Sequence, residues 1–543
     1  MNTFHNRFFM MLLALMMSVS MFAKDPKYAE IDGVAYVIYE DLNFAEVTAP
    51  MYFSYEGKVT ISSSIAYNGH EYKVTHIGYA AFRGRDITSV TLPNTIETIC
   101  AEAFKQCSNI NSITIPNSVT IIYDSAFEDC EGLTSITIPN SVKEMGSMVF
   151  GGCDRLKSVT IGAGLKELAP STFIDCGSLQ SITIPSNITA IGSDAFSACS
   201  SLETVVLPET LEKIGANAFM HCNAITSMKL PNTVTEIGDC AFWGCLNLTS
   251  INIPEKLTSI KQGVFAHCVF SSITFPSTLV SIGTSAFESC MYLKSIVIPN
   301  SVTEIGSFAF NYCSALESIT LGNSLTSLGN DAFSSCHSLT RITLPNSLKV
   351  IGESAFSSCT ALSSITFGKN VESIGIYCFN WCSSLESVTN LSLTPQAIDE
   401  TTFYSTYATL HVLPGCKKAY ENAEFWKNFT IVEDAEEQTT ATPETVSELI
   451  ATIGKVEFTD ACEDKITAAR AAYDALPEDL QVLVKNYNVL VEAEEAYNKL
   501  AATGIADINA ETMQKDGKFL NKGRLVIMKN GRKYSSNGLQ NVK

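Results

Sequence analysis

Thirteen cysteines fall on a fixed beat, at Cys107, Cys130, Cys153, Cys176, Cys199, Cys222, Cys245, Cys268, Cys290, Cys313, Cys336, Cys359 and Cys382. Every step is 23 residues except the 22 between Cys268 and Cys290. Thiols beside histidines are the raw material of a zinc site, and His221, His267 and His337 each adjoin one of these cysteines. At one strand spacing per repeat, however, His221 and His267 stand about 10 Å apart, too far to share a zinc whose ligands lie at ~2 Å. Distance permits a disulfide between neighbouring slots, but parallel side chains fit its Cβ geometry poorly and an odd number leaves one thiol over. The slot reads as a column of small apolar groups pointing into a core.

Carboxylates keep the same beat. Glu212, Glu236, Glu304 and Glu372 read as surface turn residues, not as a paired acid and base. No nucleophile elbow, phosphate-cradling loop or zinc-protease helix occurs. The chain is therefore read as non-enzymatic, with no cofactor and no metal.

The elements that carry the cysteines repeat with them. A phenylalanine stands three residues before each, from Phe104 to Phe379; Phe82 opens the series with Arg85 in the cysteine slot, and Phe403 closes it in a degenerate copy. The stretch Leu179–Ile184 alternates apolar and polar residues and reads as a short strand. Pro185 and its equivalents end the strand, and a polar pair makes the turn. An Ile-Gly pair follows, its glycine (Gly192, Gly215, Gly238) expected at positive φ. The Ala-Phe pair is expected on a short helical turn. One such unit cannot cover its apolar side, so about fourteen of them must stack, giving a curved slab roughly 65–70 Å long at about 4.8 Å per rung.

The strand's outward positions are the candidates for binding. Two rows of hydroxyls are expected along a concave sheet: Ser112/Thr114, Ser135/Thr137, Ser158/Thr160 and Ser181/Thr183, continuing through Ser272/Thr274, Ser318/Thr320 and Ser364/Thr366. They read either as β-propensity with solubility or as a hydrogen-bonding floor for a protein or glycan. The position before the serine varies in charge (Lys157, Glu203, Lys294, Glu317, Glu386), and Val206, Lys229, Val297 and Arg341 break the rows. A specific ligand would be read there. Trp243 and Trp381, each just beyond its phenylalanine in the unit, are taken as exposed and as further candidates.

The unit LxSITIPxSVTxIGxxAFxxC resembles the BspA-like, or Treponema pallidum type, leucine-rich repeats of bacterial surface and secreted proteins. The resemblance covers about residues 76–413; Gly162, Gly322 and Gly368 in place of proline, and Leu168-Ala169-Pro170 in place of Ile-Gly, are local departures. It implies a β-dominated α/β repeat solenoid, a leucine-rich-repeat horseshoe with a β-rich N-terminal cap (24–75) and a helical C-terminal cap (414–435) in which Tyr420, Trp426 and Phe429 cover the last rung. It also implies adhesion, to host matrix proteins or to other bacterial surface proteins.

The flanks extend this reading. Arg7, the apolar run Phe8–Phe22 and the small residues Ser20 and Ala23 read as a cleaved signal peptide over 1–23, too short to span a bilayer, so the mature chain is expected to carry no transmembrane segment. After a linker (436–445), apolar residues at three- and four-residue spacing predict a three-helix module over 446–502. Residues 503–543 read as strands broken by Asn530-Gly531 and Asn537-Gly538. That tail is similar to the sorting segments of type IX secretion, or is simply a basic hairpin. The chain of 543 residues is 46% hydrophobic with a net charge of −20, which repels nucleic acid and anionic lipid. The function expected is a secreted or cell-surface binding protein, with a glycan-binding or self-associating structural role as alternatives.

Overall fold

The computed structural model describes residues 26–404, 407–435, 443–456, 460–474, 476, 478–506, 517–521, 524–529 and 532–535. The expected signal peptide, Asn530-Gly531 and Asn537-Gly538 lie outside the described residues. The chain divides into two units between Glu433 and Asp434.

The first unit is a solenoid in which each turn of about 23 residues contributes to three hydrogen-bonded stacks. The long strands form one of them. Ser135–Ile138, Ser158–Ile161, Ser181–Thr183 and Thr204–Val206 pair in parallel, so that Ser135, Ser158, Ser181 and Thr204 fall in one column. The second stack is built on the Ile-Gly motif, where two-residue strands such as Ala190–Ile191, Lys213–Ile214 and Glu236–Ile237 also pair in parallel. Sequence reading missed this ladder, because two residues are too few to show a period.

The third stack is the Ala-Phe turn, and it is not helical. Alternate amides cross to the next rung: Asn217 N donates to Asp239 O at 2.9 Å, Phe219 N to Ala241 O at 2.8 Å and His221 N to Trp243 O at 2.9 Å. The amides between them close turns within their own rung, as Met220 N does on Asn217 O at 3.0 Å. In this rung every amide from Asn217 to Cys222 is thereby used, as a buried turn favours. The alternation depends on two left-handed residues per rung, such as Asn217 (φ 55°) and His221 (φ 59°) or Tyr377 (φ 55°) and Trp381 (φ 60°).

The repeat glycines are therefore not the positive-φ residues. A Cβ on Gly215 would lie 2.4 Å from Ser193 N, and one on Gly238 2.3 Å from Ala216 N. Glycine is required there because the preceding rung's backbone passes too close for any side chain.

Inside, fifteen phenylalanines from Phe82 to Phe403 form an unbroken stack, with neighbouring rings 4.8–5.7 Å apart and within 25° of parallel. Each such pair contributes about 0.5–1.5 kcal/mol beyond its burial. The slot cysteines run beside them, all buried and all free. Each thiol donates to the phenylalanine carbonyl of the preceding rung, as Cys222 Sγ does to Phe196 O and Cys245 Sγ to Phe219 O, both at 3.1 Å. In the rung one residue short, Phe270 is fully buried and its ring packs edge-on to Phe265.

Both strand ladders are closed at the N-terminal end. Phe44–Val47 and His70–Ile77 extend the short-strand ladder, and Glu56–Thr60 pairs with the first long strand, Asp86–Thr91. At the other end Thr409–Val412 and Thr430–Val432 add two rungs to the long ladder. Between them lies one short helix, Lys417–Asn422, and a 3-10 turn, Trp426–Asn428. Trp426 is fully buried; its Nε1 donates to Gln396 O at 2.7 Å, and Tyr420 OH donates to Ser392 O at 2.9 Å.

The second unit has helices Pro443–Ile453, Asp460–Asp474 and Tyr487–Ala506 around Val446, Ile450, Ile466 and Leu490. The expected last helix is divided, with Glu478–Gln481 forming a separate turn of helix before Tyr487. Arg470 grips Glu494 through two bonds of 2.7 and 2.6 Å and lies over the rings of Tyr473 and Tyr487. In the tail Gly517–Asn521, Arg524–Lys529 and Arg532–Ser535 form an antiparallel meander.

Candidate functional site

The long-strand ladder sets the candidate surface. Ile182 faces the core while Ser181 and Thr183 face solvent, and Ser158 and Thr160 are exposed in the rung before. The hydroxyl rows are exposed from Ser112 to Thr274, and beyond them Ser295, Ser318 and Thr343 remain exposed. Ser364 and Thr366 are half-buried, and Thr320 is buried. Thr320 thus departs from the expected exposed row; it stands opposite the half-buried Val297 in a ladder of only two strands. The charged flank is exposed throughout, at Glu203, Lys294 and Glu317.

The off-pattern residues coincide with breaks in this ladder. Thr204–Val206 ends one sheet and Ser227–Met228 begins the next, with Val206 51% exposed on one side of the gap and Lys229 exposed on the other. Arg341 likewise begins a sheet, Arg341–Thr343, after the ladder lapses at Thr320.

Beside the first break, along the paired strands Ser227–Met228 and Ser250–Ile251, lies a hollow of about 510 Å³, lined by Glu209, Ser227, Lys229, Asn232, Ser250 and Asn252 among others. Asn252 marks an irregularity one rung further on, between the Ser227 and Ser250 rungs. In an unbroken rung Ile184 N donates to the backbone of Val206 at 2.9 Å. Here Leu230 N donates to Asn252 Oδ1 at 2.7 Å, and Asn252 Nδ2 returns a bond to Leu230 O at 2.9 Å. Between these two rungs a side-chain amide thus takes the place of a backbone ladder bond. Among the described residues neither Glu209 nor Lys229 forms an ion pair, so both charges remain available. Sequence reading found Lys229 but not Asn252, Glu209 or Ser250. The signal for Asn252 was an amide in the column that elsewhere holds threonine.

The two tryptophans part company. Trp381 is 59% exposed. Trp243 is half-buried, held edge-on between His221 at 4.6 Å and His267 at 5.1 Å. The neighbouring rungs place both imidazoles against its faces, so Trp243 is not the open platform expected. Those histidines serve packing; among the described residues no cluster of three metal-type ligands occurs. The carboxylates of the short-strand ladder bridge rungs: Lys261 holds Glu236 at 2.7 Å, which keeps that carboxyl below its ordinary value, and Lys349 lies 3.3 Å from Glu372.

Burial pushes the slot thiols up, to about 12 for Cys199 and Cys245. That burial disfavours the thiolate, the form that acts as nucleophile or metal ligand. The surface offers hydrogen bonds, a few charges and a hollow, which suits recognition.

A family model described as BspA type leucine-rich repeat region (6 copies) matches residues 75–199, 166–294 and 280–409. A leucine-rich repeat protein from Bacteroides ovatus is 28% identical, with 75% of this chain and 100% of that one covered at a TM-score of 0.54. A leucine-rich cell surface protein from Faecalibacterium prausnitzii is 26% identical over 70% of this chain and 98% of that one, with a TM-score of 0.44. The Treponema pallidum leucine-rich repeat protein is 20% identical over 58% and 91% of the two chains, with a TM-score of 0.24. No curated protein matches. Through the model that spans its solenoid, the chain belongs to the BspA type leucine-rich repeat family.

Proposed function

We propose that this protein is a cell-surface or secreted scaffold that binds another protein along its long-strand face. The observation that carries this reading is the hollow beside the ladder break, where Lys229 and Asn252 interrupt the threonine row and Glu209 adds a charge from the preceding turn. Uniform rows supply many equivalent hydrogen bonds and little discrimination; specificity needs an irregular feature with charge and shape. Ser158, Thr160, Ser181, Thr183 and Glu203 form the floor leading to the hollow, and Lys294, Val297, Glu317 and Arg341 continue it beyond. No exposed aromatic ring lies on the strand face among the described residues, which favours a protein over a sugar there. Residues 1–23 would direct export, the helical module would act as a spacer and 503–543 would serve in sorting. Among the described residues no helix is long and apolar enough to cross a membrane.

The test is a binding screen of the chain against matrix proteins, plasma proteins and glycans. Saturable binding to a protein, weakened about tenfold or more by Lys229→Glu or Arg341→Glu, is the expected result. Binding indifferent to both substitutions would remove the strand face as the site. Self-association alone would leave a structural role.

A further inference from the structure

The turn stack carries a second surface, separate from the strand face. In the later rungs its left-handed positions hold large aromatic residues: Phe308 and Tyr312 in one rung, Tyr377 and Trp381 three rungs on, all exposed. Tyr404, exposed in the next turn, packs edge-on to Trp381 at 6.5 Å. The backbone ladder keeps these rungs in register, Phe308 N donating to Asn330 O, Asp331 N to Glu353 O and Ser354 N to Ile376 O, each at 2.8–2.9 Å. The phenylalanines beneath them are spaced 5.2–5.6 Å from Phe310 to Phe379. Between the two aromatic pairs the corner is low, with Ser335, Ser354 and Ser358 in place of rings. Asp331 and Glu353 stand in that interval on adjacent rungs.

The charge of this corner changes along the solenoid. In the first rungs its carboxylates are neutralised from within: Arg83 binds Glu102 at 2.6 Å and Lys105 binds Glu128 at 2.7 Å, each pair joining adjacent rungs. The corner therefore accommodates a Lys or Arg head between rungs. From 306 to 314, 329 to 337, 352 to 360, 375 to 383 and 397 to 404 the sequence has no lysine or arginine. Among the described residues Asp331 and Glu353 have no ion-pair partner. Partial burial raises the Asp331 carboxyl, a hydrogen bond with Ser334 lowers it, and the nearby Glu353 charge raises it again. Two like charges thus sit side by side with no cation to offset them. A sugar would stack on the rings but leave that repulsion unrelieved, whereas a cationic side chain relieves it and also binds aromatic faces.

We propose that the turn corner bearing Phe308, Tyr312, Asp331, Glu353, Tyr377 and Trp381 docks a Lys/Arg-rich segment of a partner protein. The cations lie between the rungs as Arg83 and Lys105 do in the first turns, and over the faces of Tyr377 and Trp381.

The experiment measures fluorescence anisotropy of a short labelled peptide of alternating arginine and glycine with the whole chain. A glutamate–glycine peptide and a soluble neutral β-glucan serve as the other probes. The arginine peptide should bind at moderate salt and the glutamate peptide should not. Trp381→Ala and the pair Asp331→Asn/Glu353→Gln should each weaken binding about three- to tenfold, with Trp381→Phe retaining most of it. Because the chain is acidic throughout, Glu144→Gln/Glu167→Gln removes the same charge from exposed positions of the short-strand ladder and should leave affinity within about twofold. Equal losses from both charge-neutralised pairs, no effect of Trp381→Ala, or binding of the β-glucan in preference to the arginine peptide would each overturn the assignment. All these side chains are at or near the surface, and unchanged thermal unfolding of each variant shows that affinity, not folding, has been altered.

Discussion

Cys222 illustrates what a slot residue does in this protein. Its sulfur is buried, bonded to Phe196 O, and pushed well above its ordinary pKa mainly by desolvation. Twelve other cysteines share that setting, all of them free, and burial disfavours the thiolate that would have to attack a neighbour. Cys240 differs. It lies on the turn corner, only partly buried, and its pKa is raised less. A thiol reagent applied to the native chain should therefore modify Cys240 first, with the slot cysteines reacting only on unfolding. Cys240→Ala should remove that first reaction. Simultaneous labelling of several slot cysteines in the native chain would contradict the burial argument.

At the scale of the element, the N-terminal cap holds the most perturbed acid. The strand Phe44–Val47 places Glu46 opposite His76 on the neighbouring strand, and burial pushes Glu46 up to about 7 from an unfolded value of 4.5. Between those pH values the folded chain keeps a proton that the unfolded chain has released. Glu46's contribution to the free energy of unfolding of the cap then falls as pH rises through that window, by up to about 3 kcal/mol. His76 is pushed below its ordinary value, chiefly by burial, so its cost appears on the acid side, as pH falls below about 6.5. Urea denaturation across the window should show the decline in the wild type and most of it lost in Glu46→Gln. An identical slope in both would show that Glu46 is not its source.

At the scale of the molecule, the solenoid is quasi-one-dimensional, since each rung touches only its neighbours. The long-strand and short-strand ladders both contain breaks, but the phenylalanine stack does not. That stack, together with the short-strand pairing of Lys213–Ile214 with Glu236–Ile237, should therefore carry cooperativity across the gap between Val206 and Lys229. Phe219→Ala removes the ring at that level, at a cost of about 3–5 kcal/mol. Amide hydrogen exchange should accelerate in the rungs around Phe196 and Phe242 and remain unchanged around Phe104 and Phe356. Uniform acceleration along the array would mean that it behaves as one cooperative block.

The period of 23, the buried phenylalanine and cysteine columns and the outward serine and threonine of each strand were legible in the sequence, because a repeat restates its side-chain pattern until it cannot be mistaken. The two left-handed residues per rung were not, since Asn217, His221 and Trp381 share no chemistry and obey a constraint set by bonds to the next rung. The glycines were recognised but for the wrong reason: only the neighbouring backbone, 2.3–2.4 Å from where a Cβ would be, reveals what they avoid. The candidate site divided in the same way. Val206, Lys229 and Arg341 stand out as departures from the pattern, but that they border breaks in the ladder, and that Asn252 substitutes its amide for a backbone bond one rung beyond the first, depends on which backbone bonds form between rungs. Local pattern determined which residues face inward or outward; the closeness of neighbouring rungs decided where that regular surface gives way.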